Sequence, residues 1–118
     1  MTIGVRLCPA DAIDEGHARG FVVGEGADRI DIVVVRRAGI IRAYVNTCPH
    51  QGTPLETVPD KFLNEDGSLL VCSTHGARFR AEDGVCVSGP CEGKALSPAR
   101  FEVRDGALIA LLEVSSPA

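Results

Sequence analysis

The sequence has no tryptophan, and its aromatic residues are four Phe and the single Tyr44. A core for 118 residues must therefore come from Val, Ile, Leu and Ala. No run of 18 apolar residues occurs, so no membrane-spanning helix is expected. The first residues lack the charged stretch and apolar run of a secretory leader, and a cytoplasmic protein is expected. Positive charge is also short: 12 Lys and Arg stand against 16 Asp and Glu, for a formal net charge of −4. That balance offers no basic face to a nucleic acid or an anionic membrane. The five cysteines are an odd number and suggest no disulfide framework. No Ser-His-Asp set, carboxylate pair or phosphate-binding glycine loop is readable, so no substrate site is visible.

What is present is rhythm. Thirteen glycines and seven prolines divide the chain into short segments. That pattern predicts an all-β domain. Strands are expected over 2–7, 18–23, 30–36, 40–46, 68–71, 77–80, 85–87, 100–104 and 107–113. Residues 9–16 should form a loop or one short helical turn. Ile30 to Arg36 is the most β-branched run and should be a central strand. Ala38-Gly39, Asp83-Gly84 and Asp105-Gly106 should each turn a strand back on itself. Residues 51–67 form a polar excursion, with one helical turn allowed around Pro59 to Leu63. The length fits a single domain, 1–118.

Two short stretches carry the chemistry: Cys48-Pro49-His50 and Cys72-Ser73-Thr74-His75, with 21 residues between His50 and Cys72. Two thiolates and two imidazoles make a metal-ligand set. Zinc is the ordinary reading, and Cys72 with His75 would suit it. Cys48 and His50 suit it poorly, because one intervening proline strains chelation of a single ion. A two-iron cluster removes that difficulty, since one loop can offer its Cys to one iron and its His to the other.

At these residues the sequence resembles the Rieske-type [2Fe–2S] ferredoxins. The matching stretches are Cys48-Pro49-His50-Gln51-Gly52 and Cys72-Ser73-Thr74-His75-Gly76-Ala77-Arg78-Phe79, followed by Asp83-Gly84 and Gly89-Pro90. The likeness covers roughly residues 40–112. It implies an antiparallel β-sandwich or partial barrel, with a cluster-binding subdomain of two loops at about 46–92. It implies one [2Fe–2S] cluster per chain, with Cys48 and Cys72 on the inner iron and His50 and His75 on the outer one. Gly52 and Gly76 would let backbone approach the sulfides, and Pro90 would cover the cluster. The neutral imidazoles raise the potential above that of an all-thiolate cluster. They also couple redox state to pH.

Departures from the respiratory members refine this. Their extra loop cysteines are absent, with Thr53 and Thr74 at or beside those positions, and Ala77 stands where they place a serine against a sulfide. Losing that hydrogen bond disfavours the reduced state, which implies a low-potential ferredoxin. By resemblance the chain is an electron carrier and not an enzyme. Its partners would be a flavin-dependent ferredoxin reductase and a terminal, ring-hydroxylating oxygenase. The alternatives are a small subunit of a larger redox enzyme, such as that of nitrite reductase, and a zinc-stabilised binding domain. Small subunits of that kind commonly lack the ligands, and this chain keeps all four.

Other residues remain open. Cys86 and Cys91 could pair, although free thiols fit a cytosolic protein better. Cys8 reads as a strand residue and His17 as a solvated loop imidazole. Glu56, Asp60, Glu65 and Asp66 read as a solvated excursion or a docking patch. Arg78 either guides a partner or pairs with an acid, and Tyr44 lies in the core or on a strand surface.

Overall fold

The computed structural model describes residues 2–24, 26, 29–47, 62–64, 67–72, 76–89 and 92–113. Nine strands lie among them: β1 (Thr2–Pro9), β2 (His17–Val23), β3 (Ile30–Arg37), β4 (Ile40–Val45), β5 (Leu69–Val71), β6 (Arg78–Arg80), β7 (Cys86–Ser88), β8 (Phe101–Arg104) and β9 (Ala107–Glu113). They form three antiparallel sheets of three strands, ordered β1-β9-β8, β2-β3-β4 and β5-β6-β7. The sheets do not close into one barrel. No helix of the described residues is long and apolar enough to cross a membrane.

The middle sheet explains the β-branched run. All of Ile32, Val33, Val34 and Val35 are buried, so β3 is covered on both faces. Such a strand needs no polar alternation. Val33 and Val35 pack with Tyr44, Leu70, Cys72, Phe79 and Cys86 of the cluster-loop side. Ile32 and Val34 pack the other way, against Leu108, Ala110 and Leu112 of β9.

Two of the three expected turns have the predicted form. Arg37 pairs with Ile40 and Arg104 with Ala107, leaving two-residue loops whose residues all have positive φ. That is the geometry whose twist matches a hairpin. The third differs. Residues 81–84 make a four-residue loop, with the Gly84 N–H donating to the Arg80 carbonyl at 2.7 Å. Only Gly84 there is left-handed, and the Asp83 carboxylate is engaged by the Val85 N–H at 3.0 Å. The helical turn allowed near Pro59 to Leu63 is not found at its described end. Leu63 bridges Leu70, and Phe62 is buried as an extended neighbour of β5. Pro59 to Lys61 lie outside the described residues.

Residues 10–12 do form a short 3-10 turn. Arg36 holds the segment after it, donating to the Ile13 and Ala10 carbonyls at 2.6 and 2.7 Å. Glu15 then caps the β3–β4 turn: its carboxylate accepts the Ala38 and Gly39 N–H groups, each at 2.7 Å. Ala38 holds a left-handed φ of 55°, unusual for a residue with a Cβ. The bonds from Gly39 and Ala38 push the Glu15 carboxyl below its ordinary range. A carboxyl with a depressed folded pKa contributes stability above its unfolded pKa of about 4.3, and that contribution is lost as pH falls through the folded value. Glu15→Gln is therefore expected to flatten the acid limb of stability against pH. Urea midpoints at pH 6 and pH 3 check this: the variant should lose less between the two than the parent.

Candidate metal centre

The two nominated ligand loops leave different sheets. The first follows β4. Its base is Asn46, a buried amide whose backbone N–H donates to the Asp31 carbonyl at 2.8 Å. Val45 donates to the Ser97 carbonyl at 2.8 Å, and Thr47 to that of Val45 at 2.8 Å. The second loop joins β5 to β6. Its ends are tied by the Cys72 N–H donating to the Ala77 carbonyl and the Gly76 N–H donating to the Cys72 carbonyl, both at 2.8 Å.

Cys72 lies where the sequence puts it, at the end of β5, with 0% of its surface exposed. Its thiol is free and makes no hydrogen bond to a described residue. Gly76 has a φ of +72°, and beyond its chain neighbours no atom of a described residue lies within 4 Å of where its Cβ would stand. Its amide serves the Cys72 carbonyl, and the left-handed backbone is what demands glycine. Cys48, His50, Gly52, His75 and Pro90 lie outside the described residues. Among the described residues no three His, Cys, Asp or Glu side chains are gathered as a metal set.

The loop after β7 rests on the second ligand loop. A Cβ on Gly89 would stand 2.7 Å from the Ala77 Cα, and Gly89 has a φ of +98°. Cys86 anchors this loop with each of its polar groups. Its N–H donates to the Lys94 carbonyl at 2.7 Å, its carbonyl accepts from Gly93 at 3.3 Å, and its thiol donates to the Ser88 carbonyl at 3.2 Å. Cys86 is a free thiol; Cys91, the partner left open by the sequence, lies outside the described residues. Cys8 is buried on β1, and burial raises its thiol pKa. His17 begins β2 and is exposed; it is a strand residue and not part of the loop. Arg78 is exposed on β6 with no ion pair to a described residue.

This arrangement fits a bound cluster. Among the described residues, a buried thiol without a hydrogen-bond partner stands at the mouth of a short loop, beside the left-handed Gly76. The model of the Rieske [2Fe-2S] domain matches residues 4–111. The chain belongs to the Rieske [2Fe–2S] domain family.

Relatives of the Rieske domain occur in oxygenase systems. The chain is 34% identical over 80 residues to the ferredoxin component of the alkene monooxygenase system of Xanthobacter autotrophicus (strain ATCC BAA-1158 / Py2), covering 68% of this chain and 59% of that one. It is 26% identical over 89 residues to the carnitine monooxygenase oxygenase subunit of Escherichia coli (strain K12), covering 75% of this chain and 23% of that one. The chain thus spans less than two thirds of the length of both. Among solved structures, a chain of the complex of reduced oxygenase and oxidised ferredoxin in carbazole 1,9a-dioxygenase superposes with a TM-score of 0.70 at 27% identity, over 92% of each chain. The ferredoxin of carbazole 1,9a-dioxygenase from Nocardioides aromaticivorans IC177 shares the fold, with a TM-score of 0.67 at 20% identity over 91% of this chain and 95% of that one.

Proposed function

We propose that the chain works as a single Rieske domain over residues 1–118, carrying single electrons from a flavin-dependent reductase to a terminal oxygenase in the cytoplasm. Its cluster-binding part is residues 46–92. Cys48 and Cys72 are the thiolate ligands, and His50 and His75 are the imidazole ligands. When bound, the cluster supplies a site that gains and loses one electron. The chain's residues determine how that site is held. Cys72 supplies a thiol already withdrawn from water. Ala77, fully buried, offers no hydroxyl to a cluster sulfur, which favours a low potential. Gly89 seats the 88–94 loop on Ala77, and Pro90, the next residue, shields the cluster.

The observation that carries the partner assignment is the likeness, over 92% of each chain, to a chain from an oxygenase–ferredoxin complex. Free thiols at Cys8, Cys72 and Cys86 agree with a reducing compartment. The test is reconstituted electron flow. The parent protein is mixed without oxygen with a flavin reductase and its nicotinamide donor, then with a terminal oxygenase and its substrate. Visible bands should bleach at the first step and return at the second, and Cys48→Ser should do neither. A cluster-loaded parent that no such reductase bleaches would overturn the assignment.

A further inference from the structure

A cluster gripped by both loops spans two sheets, β2-β3-β4 and β5-β6-β7. The separation of its ligands therefore depends on what locks those sheets together. Tyr44 stands at that junction. It lies on β4, four residues before Cys48, and only 4% of it is exposed. Its hydroxyl donates to the Ala81 carbonyl at 2.8 Å, in the loop that follows β6. The ring fills the space beside Gly84, where a Cβ would stand 2.8 Å from the Tyr44 Cε1. Ala81 is itself pinned, its N–H donating to the Ser68 carbonyl at 3.1 Å, just before β5. One hydroxyl thus connects the strand entering the first ligand loop to both strands flanking the second. Burial raises the phenol pKa, so the donor keeps its proton throughout the neutral range.

A second link crosses the same junction at the surface. Arg37 donates to Glu82 at 2.8 Å, with the two side chains 33% and 39% exposed. An exposed pair of this kind holds geometry weakly. The buried hydroxyl is the stiffer tie.

We propose that Tyr44 is a positioning residue for the metal centre: its hydroxyl, through Ala81, fixes how far apart the two ligand loops stand and so governs retention and electronic structure of the cluster. This rests on the Rieske reading above. A hydroxyl that only stabilised the fold would lower the unfolding temperature and leave the cluster's properties alone.

Tyr44→Phe keeps the ring and removes the donor. The cluster-loaded variant is compared with the parent well below either unfolding temperature. The readouts are iron release to excess chelator, midpoint potential and the electron paramagnetic resonance spectrum after reduction. Iron release should be about three- to tenfold faster, the range set by one lost buried hydrogen bond, with a shifted spectrum and potential. Gly84→Ala, which pushes on the ring from the other side, should produce the same signature. Glu82→Ala, cutting only the surface link, should stay within about twofold of the parent in iron release. The inference is overturned if Tyr44→Phe and Gly84→Ala retain the parent's spectrum, potential and release rate while only their unfolding temperatures fall. A parent protein without iron and sulfide would instead sink the Rieske reading itself.

Discussion

Cys72→Ser is expected to give a colourless protein without iron or sulfide, while Cys8→Ala and Cys86→Ser remain coloured. The comparison isolates ligand chemistry from burial. All three cysteines are free thiols, with 5%, 0% and 2% exposure at Cys8, Cys72 and Cys86. Cysteine is among the most buried residue types for packing reasons alone, so burial does not distinguish them. What distinguishes Cys72 is position: it closes a six-residue loop with Ala77, and its thiol makes no hydrogen bond to a described residue. Cys86 spends its thiol on the Ser88 carbonyl, a bond that serine can also make. Cys8 sits in a separate apolar cluster with Ile13, Val34, Ala43 and Leu108. Metal binding adds its free energy to folding, so Cys72→Ser should also melt below the loaded parent. Iron and sulfide assays with visible spectra on the four proteins check this. Retention of a full cluster by Cys72→Ser would refute the ligand assignment.

Phe79→Ala is expected to cost about 3–5 kcal/mol of folding stability. For a domain of this kind that is a large share of a total of about 5–15 kcal/mol. Phe79 is the inward residue of β6, between exposed Arg78 and Arg80, and is wholly buried. It pairs with Leu70 across β5 and sits in one apolar cluster with Val33, Val35, Tyr44, Cys72 and Ala77. A chain without tryptophan has few large side chains to fill the void. The cavity would open beside Cys72, so the cluster should be lost at lower denaturant than in the parent. Urea titration of the loaded protein, followed by far-ultraviolet dichroism and visible absorption, reads both effects. Phe21→Ala should cost less, because Phe21 is only partly buried. A Phe79→Ala midpoint equal to the parent's would contradict the packing described.

The sequence is most readable where structure is local. Ile30 to Arg36 announced a central strand by its β-branching, and β3 is buried on both faces. Ala38-Gly39 and Asp105-Gly106 supply the left-handed pairs that their turns need. Asp83-Gly84 looks the same in sequence but behaves differently. Gly84 is held against a tyrosine 40 positions earlier, and the Asp83 carboxylate is spent on Val85. The tyrosine contact cannot be read from neighbours in the chain. Phe62 and Leu63, the described end of the stretch where a helical turn is allowed, instead have β5 as their partner, again a contact with no local signal. The pairing of β1 with β9, which joins the two ends of the chain, also follows no local signal.

The candidate site divides in the same way. The spacing of Cys48, His50, Cys72 and His75 nominates the proposed ligands, and Gly76 has the positive φ that favours glycine. The function of Tyr44 was invisible, because it depends on Ala81, 37 residues away. The placing of the two loops on separate sheets was equally hidden.

The most direct measurement is pulsed electron paramagnetic resonance on dithionite-reduced protein carrying nitrogen-15 histidine. The chain has three histidines, and His17 is exposed on β2, outside both ligand stretches. A paramagnetic reduced cluster strongly coupled to two imidazole nitrogens, one each from His50 and His75, is expected. A reduced protein with no such signal, or one coupled to a single histidine or none, would contradict it.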